Sequence, residues 1–185
     1  DLDPAHFKNV NIVHIEGYSL QNEKVTEKAM RLAKESGALV SLDLGSFEIV
    51  NQYKSTILGL LEKYVDLVFT NKDETLALTG FPPEKGCEQI KNLCEIAVVM
   101  IGKEGSWVGW GDETHRCPTF QVEAIDTTGA GDLFASGFLH ALLEGKPAEE
   151  CAKWGAITAS TVVQVIGTEI PPEKWKQIKD RLGNP

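Results

Sequence analysis

A chain of 185 residues, 42% hydrophobic and 24% charged, can bury a sizeable core and matches neither a disordered tail nor a membrane protein. Its net charge of −9 excludes nucleic acid and anionic membrane surfaces as expected partners, since both need clustered Lys and Arg, but leaves a nucleotide ligand open. Residues 156–167, the longest weakly polar run, are too few to cross a bilayer, and no signal pattern opens the chain, so a cytoplasmic location is expected.

Apolar runs alternate with amphipathic stretches, the pattern of an α/β protein with a mostly parallel central sheet flanked by helices. Residues 10–15 (VNIVHI) read as a strand that runs into Glu16-Gly17-Tyr18. A helix is expected over 22–36, closed by Gly37, then a strand over 38–44 and a helix over 53–64. Residues 66–70 read as a third strand, followed by a short helix over 72–78 that Gly80-Phe81-Pro82-Pro83 stops. Next come a helix over 84–93 and a strand over 96–101. Gly109 and Gly111-Asp112 mark a hairpin across 106–117. An apolar strand at 120–125 is expected to enter a sharp turn at 127–131, and helices over 132–143, 147–165 and 172–182 close the chain. Pro147 suits the first turn of its helix, with Glu149 and Glu150 near the positive end. No repeat or linker intervenes, so residues 1–185 read as a single domain. Cys87, Cys94, Cys117 and Cys151 show no metal spacing and read as reduced thiols, with Cys87 and Cys94 on one helical face.

The segment Asp126-Thr-Thr-Gly-Ala-Gly-Asp132 carries the chemistry. Gly129 and Gly131 permit backbone conformations closed to other residues and let a ligand approach the main chain. The first amides of the helix that follows lack intrahelical partners and point outward as donors, and with the helix dipole they make an anion site. The simpler reading is a tight strand-to-helix connection with Asp132 as a helix-terminal charge. No Lys-Ser or Lys-Thr follows the glycines, which separates the turn from a Walker A loop, and the spacing is not the GxGxxG of a dinucleotide fold.

DTTGAGDLFASGFL, residues 126–139, resembles the C-terminal signature of the ribokinase or PfkB family of carbohydrate and nucleoside kinases. The resemblance implies a ribokinase-like fold whose N-terminal strands and lid are missing, so that 1–185 is the C-terminal, nucleotide-binding part. A start at Asp1 rather than Met fits a fragment or processed product. It further implies Asp132 as catalytic base, with Gly129, Ala130 and Gly131 forming the anion hole. Asn71-Lys72-Asp73-Glu74 is similar to the family's NxxE motif, which places Asn71 near the triphosphate and Glu74 on the waters around Mg²⁺. Without the family these two residues read as a helix N-cap and its capping-box partner. Gly102-Lys103-Glu104-Gly105 resembles the nucleotide-contacting loop, with Gly102, Lys103 and Gly105 beside ATP; alone it reads as a hairpin lead-in. Asp126 and Thr128 match positions that hold a monovalent cation such as K⁺. The stretch 162–168 aligns with the loop that completes that site and the adenine pocket, although Gln164 stands where many members carry a basic residue. Gly155, Ala156, Ala159 and Ser160 lie at helical spacing, for close packing or, at Ala159, for a flat base. Glu16-Gly17-Tyr18 and residues 41–44 resemble segments that border the substrate cleft, with Asp43 at a strand's C-terminal end. His14 and the tryptophans read as structural.

The expected activity is transfer of the γ-phosphoryl of ATP to a hydroxyl of a sugar or nucleoside, with the isolated piece inactive. The resemblance leaves the oligomeric state open and allows a homodimer of the full-length protein, since family dimers often use the lid. The rival reading is a non-catalytic nucleotide- or metabolite-binding module.

Overall fold

The computed structural model describes residues 2–183. Six strands form one sheet in the order in which they occur, β1 (Ile12–Glu16), β2 (Leu39–Asp43), β3 (Leu67–Asn71), β4 (Ile96–Met100), β5 (Ser106–Trp110) and β6 (Glu113–Cys117). β1 to β4 are parallel, in a register that pairs His14 with Ser41, Glu16 with Asp43, Asp43 with Phe69 and Asn71 with Met100. The two residues between β5 and β6 leave room only for a hairpin. Helices α1 (Glu23–Glu35), α2 (Phe47–Lys63), α3 (Lys72–Thr79) and α4 (Pro83–Lys91) connect the parallel strands, and α5 (Ala130–Leu143), α6 (Ala148–Val162) and α7 (Pro172–Leu182) follow the hairpin.

By spatial proximity the chain falls into two compact units, one of residues up to 100 with 107–114, the other of 101–106 with 115 onward. In the first, Val40, Leu42, Val68, Phe69, Val98 and Val99 are fully buried. Such unbroken apolar runs are what a parallel strand needs when both its faces are covered. α2 begins at Phe47, six residues earlier than expected, because the Ser46 hydroxyl accepts the Ile49 N–H at 3.3 Å and caps it. Tyr53, where the sequence places the start of that helix, is a kink with φ −113° and ψ 20°. α4 ends at Lys91, so Cys94 lies beyond it and shares no helical face with Cys87.

In the second unit α5 and α6 pack closely through glycine. A Cβ on Gly137 would lie 2.6 Å from the Trp154 carbonyl, and one on Gly155 2.8 Å from that of Phe134. The Thr158 hydroxyl donates to Leu133 O at 2.5 Å across the same seam. Gly155 therefore serves packing. α7 closes over Ile157, Val162 and Ile170 through Ile178. The strand expected at 120–125 does not form. Phe120, Val122 and Ile125 are exposed; the segment is held by Arg181 over the Phe120 ring and by the Ile125 N–H on Val163 O at 2.7 Å instead of by a neighbouring strand.

Candidate functional site

The residues singled out from the sequence sit at strand and helix ends in each unit. In the first unit Asn71 ends β3 and caps α3. Its Oδ1 accepts the N–H groups of Asp73 and Glu74 at 2.9 and 3.0 Å. In return Glu74 accepts the Asn71 N–H at 2.9 Å and its side-chain amide at 2.5 Å, which completes a capping box. Glu74 is only 3% exposed, and burial raises its carboxyl above the ordinary value, opposed by the Asn71 N–H. Both its oxygens already accept a hydrogen bond. Each keeps a lone pair, so the carboxylate fits Mg²⁺ held directly or through water, the latter the usual habit of that ion. Among the described residues no group of three or more His, Cys, Asp or Glu could hold a metal by itself.

Asp43, at the end of β2, accepts the Gly45 N–H at 2.8 Å, so one of its oxygens shapes the turn after the strand. Opposite it, Glu16 ends β1 with a carboxylate oxygen 3.3 Å from His14 Nε2, while His14 Nδ1 lies 3.0 Å from Ser41 Oγ. A single His in an apolar strand gives no sequence signal of this kind. Only the β1–β2 register brings Ser41 beside it.

The second unit holds the glycine turn. Gly129 takes φ +74° as the N-cap of α5, and no side chain caps that end. A Cβ at Gly129 would lie 2.7 Å from Thr168 Cγ2. The Ala130 N–H is occupied by Thr127 O at 3.2 Å. Helix geometry leaves the amides of Gly131 and Asp132 as the first-turn donors without an intrahelical acceptor. The Asp132 side chain is exposed on that first turn. Asp126 ties the turn to the loop after α6. It accepts the Thr128 N–H at 2.9 Å, the Thr128 hydroxyl at 2.7 Å and the Gly167 N–H at 2.8 Å. The Thr128 N–H, then the Gly167 N–H and the Thr128 hydroxyl, hold its carboxyl below the ordinary range. With three donors taken, Asp126 has about one lone-pair site left for a cation.

Gly102 (φ +61°) and Gly105 (φ +100°) bracket a single 3₁₀ turn, Gly102–Glu104. A Cβ on Gly105 would strike the Cys117 carbonyl, so packing alone requires that glycine. Lys103 is exposed, and its carbonyl accepts from the Gln121 side chain at 3.1 Å. Ala159 is half-buried, whereas Gly155, Ala156 and Ser160 are buried.

The family model described as pfkB family carbohydrate kinase matches residues 2–175. A nucleoside kinase of Methanocaldococcus jannaschii is 32% identical over 187 residues, covering 98% of this chain and 58% of that protein. An uncharacterized sugar kinase of Archaeoglobus fulgidus is 29% identical over 171 residues, covering 90% of this chain and 66% of that one. The crystal structure of adenosine kinase from Sinorhizobium meliloti superposes with a TM-score of 0.91 at 30% identity, over 98% of this chain and 57% of that one. This chain thus spans less than two thirds of the length of these relatives.

Proposed function

This chain belongs to the pfkB family of carbohydrate kinases, and on that premise we propose that the protein transfers the γ-phosphoryl of ATP to a hydroxyl of a sugar or nucleoside. One observation carries the reading. A left-handed glycine opens α5 without a side-chain cap, leaving the Gly131 and Asp132 amides as donors beside the Asp132 carboxylate. That arrangement suits a transferring phosphoryl, whose loose transition state asks for positioning and charge neutralisation more than for strong deprotonation.

In this reaction the Asp132 carboxylate orients the acceptor hydroxyl and receives its proton late. The acceptor oxygen bonds to Pγ, the bond from Pγ to the ADP oxygen breaks, and the amides after Gly129 hydrogen-bond the phosphoryl in flight. Mg²⁺, when bound with the nucleotide, neutralises charge on the β- and γ-phosphates. Glu74 would hold waters for it, with Asn71 keeping Glu74 in place. Lys103 offsets phosphate charge, with Gly102 and Gly105 shaping its loop, and half-buried Ala159 offers room for a flat base. Asp126 and Thr128 first join two loops, and their remaining oxygen lone pairs suit a monovalent cation such as K⁺. Residues 1–185 act as the nucleotide-binding part of a cytoplasmic, homodimeric enzyme, and the piece alone turns over little or no substrate.

The test is Mg²⁺-dependent ADP release by the full-length protein over a panel of sugars and nucleosides, beside its Asp132→Ala variant. The expected result is turnover on one acceptor class, lower by about 10²- to 10⁴-fold in the variant, with ATP affinity nearly unchanged. Undiminished turnover in the variant removes Asp132 as the base. ATP binding with no turnover on any acceptor replaces the enzyme with a nucleotide-binding module.

A further inference from the structure

We infer that Thr70, at the end of β3, and Thr75, in the first turn of α3, are positioning residues whose paired hydroxyls hold Asn71 and Glu74 in place for a Mg²⁺-bound nucleotide. This rests on the kinase reading and on the place of Glu74 given above, and adds to them two residues outside the Asn71–Glu74 pair.

β3 runs Leu67-Val68-Phe69 into Thr70, and all four are buried, as is Thr75 one turn into α3. Valine has nearly the shape of threonine. A buried hydroxyl costs free energy unless it is hydrogen-bonded, and even then it contributes little beyond an apolar group of the same shape. Stability alone gives no reason for two hydroxyls here. What they have and valine lacks is direction. The Thr70 hydroxyl donates to Asn71 O at 3.2 Å, and so accepts from the Thr75 hydroxyl at 3.3 Å. The same hydroxyl faces the Glu74 carboxylate. Burial raises that carboxyl, and the Asn71 N–H and then the Thr70 hydroxyl oppose the rise. Glu74 is therefore held from two sides, by Asn71 through the capping box and by Thr70 from within the core.

α4 sets the orientation of Thr75. A Cβ on Gly86 would run into Thr75 Cγ2, so the methyl fills the space that the glycine leaves and the hydroxyl turns to Thr70. The Thr79 hydroxyl donates to Thr75 O at 2.7 Å and accepts the Phe81 N–H at 3.1 Å, which fixes the backbone of the same helix. The donors thus run one way, from Thr75 to Thr70 and on to Asn71 and Glu74. Thr70, Thr75 and Glu74 are all buried, so bulk water cannot stand in for a missing hydroxyl. Without the Thr70 donor the Glu74 carboxylate is freer to turn, and a metal or water oriented by it turns with it.

ADP binding to the full-length protein, measured by calorimetry across a Mg²⁺ titration, tests this beside Mg²⁺-dependent turnover. Mg²⁺ is expected to strengthen ADP binding to the parent. Thr70→Val should raise the Mg²⁺ concentration for half of that effect by about tenfold, the scale on which outer partners of metal-site groups act, and leave binding of metal-free ADP the same. Half-maximal turnover should need more Mg²⁺ in step. Thr70→Ser, which keeps the hydroxyl, should restore both. Thr75→Val should shift the same quantities by less, and should add nothing in a Thr70→Val background, because Thr75 acts only through Thr70. Thermal melting followed by circular dichroism should place both Val variants near the parent. If Thr70→Val does not fold, Thr75→Val carries the test with Thr75→Ser as its rescue. ADP binding indifferent to Mg²⁺, an unshifted Mg²⁺ dependence in the variants, a loss that is equal with and without Mg²⁺, or additive effects of the two substitutions overturns the inference. A shifted Mg²⁺ dependence of ADP binding with no turnover on any acceptor would keep Thr70 and Thr75 in their role and remove the kinase. Turnover that Asp132→Ala abolishes and Thr70→Val leaves untouched would do the reverse.

Discussion

Asp126 shows how much one side chain can settle. It accepts two hydrogen bonds from Thr128 and one from the Gly167 N–H, which lies 41 residues away. The same donors stabilise its ionised form, so its folded pKa lies below the ordinary 3.8. The sign for stability follows. The contribution is fully present above the unfolded value and is lost as pH falls through the lower folded value. Asp126→Asn should therefore be less stable than the parent in urea titrations at pH 7, and the gap should narrow at pH 3 and below, where the parent carboxylate takes up its proton. An equal gap at both pH values would show that charge contributes nothing to this clasp. The sequence marks Asp126 as a cation ligand through family resemblance. Its hydrogen bond to Gly167 was illegible there, because no local pattern links a turn to a loop so far along the chain.

At the scale of elements, α5 and α6 meet through a glycine on each helix. The sequence shows only small residues at helical spacing, which fit a packed seam as well as a slot for a base. The position of Phe134 decides for packing at Gly155, as those of Trp154 and Thr158 do at Gly137. Gly137→Ala should destabilise the protein by about 1–3 kcal/mol, since its methyl would press on the Trp154 carbonyl and the Thr158 hydroxyl and force the helices apart. Chemical denaturation followed by circular dichroism measures this, and a neutral or stabilising result would mean that the seam yields. α3 carries the opposite lesson. Its capping box was readable from Asn71 and Glu74, because a cap is a local contact three residues long. What could not be read was how deeply Glu74 is buried.

Across the whole molecule, Cys94, Cys117 and Cys151 are free thiols. Burial pushes the Cys94 thiol up to about 12 and those of Cys117 and Cys151 up to about 11. At pH 8 all three should be overwhelmingly protonated and slow to alkylate. Iodoacetamide labelling followed by mass spectrometry should show little modification of the native protein and full modification in denaturant. Rapid native labelling at Cys94, the one half-buried thiol, would contradict the packing around the end of α4. No helix among the described residues is long and apolar enough to cross a membrane, in line with the short weakly polar runs of the sequence. The sequence by itself determined the parallel strands, their helices and the glycine turn before Asp132, because apolar periodicity, caps and glycine act over a few residues. It misjudged 120–125, where an apolar run alone could not tell whether a neighbouring strand would pair with it. Only the tertiary structure decided the strand register that sets His14 between Glu16 and Ser41, and the tie between Asp126 and Gly167. Each of these joins residues far apart in the chain, and their contact depends on how whole elements pack rather than on any neighbouring residue.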